Sequence, residues 1–121
     1  MTKEAIGKKE LYNFDQLHEI AAGNMDFIKS LAVIFIKTSP YDSSEMLEAT
    51  KIGDWQKVSK YAHKLKSTVD SMNIVSIKSD IRILEIDAKN KKNTASLGQL
   101  ASKVDRVINE VAEQVKMDFD L

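Results

Sequence analysis

One proline and four glycines in 121 residues leave few places where this chain can break a helix. Glycine and proline are the strongest punctuators of local structure, and their scarcity favours long helices over many short strands. Apolar spacing agrees. Ile77, Ile81, Leu84 and Ala88 recur at three- and four-residue steps, and so do Leu97, Leu100, Val104, Val107, Ile108, Val111 and Val115.

Residues 1–12 read as a frayed lead-in, because 1–10 hold little apolar material. A short first helix is expected from Asp15, with Phe14, Leu17, Ile20 and Ala21 as its stripe and Gly23 as its end. Asn24 or Asp26 can start the second helix, whose apolar positions are Phe27, Ile28, Leu31, Ile34 and Phe35. Val33–Ile36 taken alone could also be a strand. Ser39-Pro40 reads as an N-cap followed by proline at the first helical position, or as a kink within one longer helix. Met46, Leu47 and Ile52 continue the apolar face to Gly53. Asp54 is a good cap for the next helix, running to about Met72, because its carboxylate can accept a free first-turn N–H. A helix from Ile74 to Lys89 follows, and after the turn at Lys91-Lys92-Asn93, Thr94 caps the last one. Four principal amphipathic helices with short connections predict an all-α domain at 13–117. The expected architecture is an antiparallel four-helix bundle with a short additional N-terminal helix and a tail at 118–121.

Charge excludes one large class. The 18 basic and 18 acidic residues balance, whereas a nucleic-acid binder normally shows a basic excess or stripe. Cysteine is absent, which removes disulfides and thiolate metal sites and suits a reducing compartment. The longest apolar run, Leu31–Ile36, is far short of the ~20 residues that span a bilayer. The polar start Met1-Thr2-Lys3-Glu4 does not lead into a signal-peptide core. A soluble, cytoplasmic, monomeric domain is the expectation.

Asp54 to Asn73 is the informative segment. On a wheel at ~100° per residue, Val58, Ala62, Leu65, Val69 and Met72 share one side, flanked by Trp55 and Tyr61. Ser59, His63, Lys66, Ser67 and Asp70 share the other, so His63 faces solvent. Spacing alone leaves an incidental surface histidine open. The neighbours suggest more. Lys66, three residues on, can reach the space beside the imidazole, and the small Ser67, four residues on, leaves the ring accessible. A neutral imidazole is a competent nucleophile, and an adjacent lysine would offset the charge of a phosphoryl group carried there. An exposed nucleophile without a base, metal or pocket suits a carrier better than a hydrolase. His18, beside Glu19, reads as a solvated surface residue, and two histidines so far apart in sequence do not suggest a metal site.

The run Tyr61-Ala62-His63-Lys64-Leu65-Lys66-Ser67 resembles the phosphoacceptor motif of histidine-containing phosphotransfer (HPt) domains, alanine-histidine-x-leucine-lysine-glycine. Gly53-Asp54-Trp55 resembles the boundary that opens the histidine helix in that family, and Leu84-Glu85 followed by Ala88-Lys89 resembles its next helix. Leu17 to Phe35 resembles its opening helices, so the likeness runs from about residue 13 to 115. Ser67 and Asn73 stand where the family commonly has glycine. The resemblance implies that His63 accepts a phosphoryl group from a receiver-domain aspartate and passes it to another receiver. It implies that Lys66 and Lys64 help hold that group, and that Ser59, Ser67 and Asp70 line the docking surface. It implies no cofactor on this chain, with Mg²⁺ carried by the receiver, and no kinase or phosphatase activity of its own.

Two other readings compete. An HPt-like adaptor would bind a signalling partner with the histidine idle, and a buried or salt-bridged His63 would favour it. The dimerising histidine domain of a sensor kinase also bears a histidine on a bundle helix, but there an acidic residue typically follows, where this chain has Lys64.

Overall fold

The computed structural model describes residues 11–22 and 24–121, so the expectations for residues 1–10 and for Gly23 lie outside the described residues. The described chain is all-helical, with α1 Asp15–Ile20, α2 Met25–Ile52, α3 Trp55–Ser71, α4 Lys78–Asn90 and α5 Thr94–Asp118. A 3-10 turn at Val75–Ile77 precedes α4. Helices α2 to α5 pack as a closed set. α2 lies on α3 and α5, and α4 lies on the same two, with α1 against α2. No described helix is long and apolar enough to cross a membrane.

Local chemistry sets the borders of α3, the helix that carries His63. Gly53 takes φ 72°, a left-handed conformation that ends α2 at no steric cost. Asp54 follows at once, and its carboxylate accepts the Lys57 N–H at 3.1 Å. At the far end Asn73 adopts φ 51°, which asparagine tolerates better than most residues. From this register Val58, Ala62, Leu65 and Val69 fall fully inside. They meet Ile77, Ile81, Leu84 and Ala88 from the α4 side, and Leu97, Val104, Ile108, Val111 and Val115 of α5 complete the core.

Helix α2 decides between the two readings left open at Pro40 and departs from the expected apolar face. It runs unbroken through Pro40, so Ser39 is not an N-cap but a buried residue inside the helix. Proline forfeits one backbone hydrogen bond, and burial of Phe35, Met46 and Ala49 on either side of it holds the helix together. Val33–Ile36 is helical too. The buried stripe is Ile28, Ala32, Phe35, Met46 and Ala49, interrupted by Ser39, Asp42 and Ser43, while Phe27, Ile34 and Ile52 are exposed. Apolar counting missed the polar positions because each needs a partner from elsewhere. Ser43 Oγ, for example, donates to Asp105 Oδ1 of α5 at 2.6 Å.

Three boundaries also shift. Asn93, not Thr94, occupies the N-cap of α5, in the left-handed region and without a side-chain cap bond. The lead-in expected to fray packs at its end, with Tyr12 buried and its hydroxyl donating to Asp118. The C-terminus, expected as a tail from 118, is held by Phe119, which meets Phe14 edge to face with ring centroids 5.6 Å apart.

Leu65 is 1% exposed at the centre of the α3 stripe. Leu65→Asp is expected to unfold or loosen the bundle, since burying an unpaired carboxyl in place of leucine costs a large part of the about 5–15 kcal/mol a domain has to spare. Leu65→Ala is expected to fold with a loss of about 2–5 kcal/mol, read as a lower urea midpoint. A native-like midpoint for either variant would move the core face elsewhere.

Candidate functional site

The register that buries Leu65 turns His63 outward, and its side chain is 70% exposed. Helix α4 borders it. Ser59 Oγ donates to the backbone carbonyl of Glu85 at 3.0 Å, pinning α3 to α4 one turn before the histidine. Glu85 then brings its side chain to the seam, where its two oxygens are divided between two partners. Oε2 lies 2.6 Å from His63 Nδ1, and Oε1 lies 2.8 Å from Lys66 Nζ.

That sharing determines the charge and the proton. The Lys66 ammonium holds the Glu85 carboxyl below the usual carboxylate range, His63 adds to the effect, and partial burial opposes it. An ionised carboxylate only accepts hydrogen bonds, so Nδ1 is the donor. In a neutral ring that leaves the one basic lone pair on Nε2, on the side away from Glu85. Nε2 makes no hydrogen bond among the described residues. The outcome is an imidazole oriented at one nitrogen and open at the other.

The structure brings some of the expected residues together and sends others elsewhere. Lys66 joins His63 through the shared carboxylate. Ser67 is exposed one turn beyond the histidine. Ser59 is half-buried in the α3–α4 seam. Asp70 is held by Arg82 of α4 at 2.7 Å. Lys64 turns to the other side of α3, with its ammonium 3.4 Å from Asp42 of α2 and 5.3 Å from the Tyr61 ring centroid. Of the two lysines expected at the site, Lys66 alone therefore sits beside the imidazole.

Glu85 is the residue that helical counting did not place in the site. It lies 22 positions from His63, on a different helix. Its signal was present in the Leu84-Glu85 pair. A residue one step round from buried Leu84 can border a neighbouring helix, but whether it does, and which one, depends on packing.

The lowered Glu85 pKa has a definite sign. A depressed folded-state value contributes stability above the ordinary glutamate range, and that stability is lost as pH falls through the folded value. Glu85→Gln is expected to cost about 1 kcal/mol near neutral pH. The gap from wild type should shrink as pH drops below the ordinary glutamate range. Urea unfolding across a pH series measures this, and a gap constant into strong acid would mean that the ionised carboxylate does not hold the seam.

Comparison with models of known protein families, with curated proteins and with solved structures finds no match to this chain.

Proposed function

We propose that this chain is a histidine phosphocarrier of the HPt kind, taking a phosphoryl group on His63 from a receiver-domain aspartate and passing it to a second receiver. The observation that carries the reading is the His63 imidazole, exposed to solvent, donating from Nδ1 to an ionised Glu85, with Nε2 open. In this reading α2 to α5 form an antiparallel four-helix bundle with α1 as an added short helix. Short connections between helices that pack as neighbours support that arrangement. The protein acts as a cytoplasmic monomer without a cofactor of its own, and Mg²⁺ comes with the receiver.

The chemistry balances with the groups present. The Nε2 lone pair attacks phosphorus, a P–N bond forms, and the P–O bond of the aspartyl phosphate breaks to release the aspartate carboxylate. Nδ1 keeps its proton, so the ring gains positive charge, which Glu85 offsets. The phosphoryl group arrives with close to two negative charges, and the Lys66 ammonium beside the same carboxylate offsets part of them. Lys64, half-exposed and loosely held by Asp42, meets the incoming partner from the α2 side of the helix, and Ser59, Ser67 and Asp70 frame the docking surface. Transfer back to a second receiver reverses the same steps.

The close Nδ1–Glu85 contact also favours a second reading, a binding-only adaptor in which the ion pair merely ties α3 to α4. Phosphotransfer separates the two. Incubation with a phosphorylated receiver is expected to place acid-labile, base-stable label on wild type and none on His63→Gln. That variant should stay folded, with stability changed by no more than about 0.5 kcal/mol. Absence of label on folded wild type with several receivers would leave the adaptor. Lys66→Ala is expected to slow the transfer step by roughly tenfold, equivalent to about 1.4 kcal/mol of transition-state stabilisation. Unchanged rapid-quench kinetics would remove Lys66 from its role.

A further inference from the structure

Charge is spread unevenly over the helices of a chain whose formal net charge is zero. Helix α3 carries four lysines, at 57, 60, 64 and 66, against the single carboxylate of Asp70. In α2 and α5 acidic residues outnumber basic ones by one, and α4 is balanced. The histidine helix is thus the cationic one.

Three of these lysines gather on one aromatic ring. The Nζ atoms of Lys57, Lys60 and Lys64 lie 6.0, 5.9 and 5.3 Å from the Tyr61 centroid. Two of them are partly neutralised by α2, Lys57 by Glu45 at 3.1 Å and Lys64 by Asp42 at 3.4 Å. Lys60 is exposed and makes no ion pair with a carboxylate among the described residues. It stands three residues before His63, so both project from the same outward face.

We infer that Lys60, with Lys57 and Lys64 gathered on Tyr61, is a cationic docking face that steers an acidic protein surface onto His63. The partner's identity rests on the phosphocarrier reading. A domain that presents a phosphoryl group on a carboxylate, beside further carboxylates that hold a divalent cation, offers an anionic patch of the matching kind. Such complementarity acts at range and raises the association rate, whereas the chemical step is set by groups that touch the reacting atoms. Lys60 is therefore a positioning residue for encounter, distinct from Lys66 beside the ring.

The test measures association with a phosphorylated receiver domain, and transfer at limiting and saturating receiver, in low and high salt. The variants are Lys60→Glu and, as a control with the same charge change on α2, Lys29→Glu. Lys60→Glu is expected to slow association roughly tenfold in low salt. The difference should fade near 1 M, where the Debye length is about 3 Å. The rate at saturating receiver should not change, and Lys29→Glu should behave as wild type. Equal slowing by both variants, or a loss that persists at saturation, would overturn the docking face while leaving the phosphocarrier standing. Salt-sensitive binding through Lys60 without label on His63 would uphold the face and sink phosphotransfer. No binding by wild type would overturn both.

Discussion

Burial of the apolar row Val58, Ala62, Leu65 and Val69 sets the geometry of the site, because α3 carries His63 and packs against both α2 and α4. An α-helix has 3.6 residues per turn, so fixing that row inward leaves no freedom for the residues between. His63 must face water, Lys66 must point along the α4 seam, and Lys64 must point towards α2. The corner at Gly53 and the cap at Asp54 start the helix in the register that makes this so. Hydrophobic burial is non-directional, yet through helical periodicity it aims a polar side chain.

What burial aims, Glu85 refines. A solvent-facing imidazole on its own samples rotamers and both neutral tautomers. The carboxylate of Glu85, shared with Lys66, selects one nitrogen for hydrogen bonding and leaves the other outward. Lys66 keeps that carboxylate ionised, so the same cation that would face an arriving phosphoryl group also fixes the orientation of the ring. Three residues on two helices thus act as a unit. Ser59 adds the backbone register between those helices through the Glu85 carbonyl.

Helix α2 shows how far pattern counting goes. Its apolar positions suggested a face with Phe27 and Ile34 inside and left open whether the helix breaks at Pro40, whereas the helix is continuous and exposes both side chains. Ser39, Asp42 and Ser43 lie on the buried stripe, and such positions are acceptable only where a partner helix supplies hydrogen bonds or charge, as Asp105 does for Ser43 and Lys64 for Asp42. The chain ends are similar. Tyr12, Phe14 and Phe119 are unremarkable in sequence, and their contacts join segments more than 100 residues apart.

Local rules were enough for the helical class, the corners at Gly53 and Asn73, the core faces of α3, α4 and α5, and the outward direction of His63. Each depends on spacing or capping within a few residues, where the physics is short in sequence. Only tertiary structure decided which carboxylate meets His63, that Lys64 turns to Asp42 while Lys66 stays beside the imidazole, and that α2 continues through Pro40. Those outcomes depend on which helices become neighbours and at what height they pack. A carboxylate 22 residues away has no periodic relation to the histidine until α3 and α4 are docked.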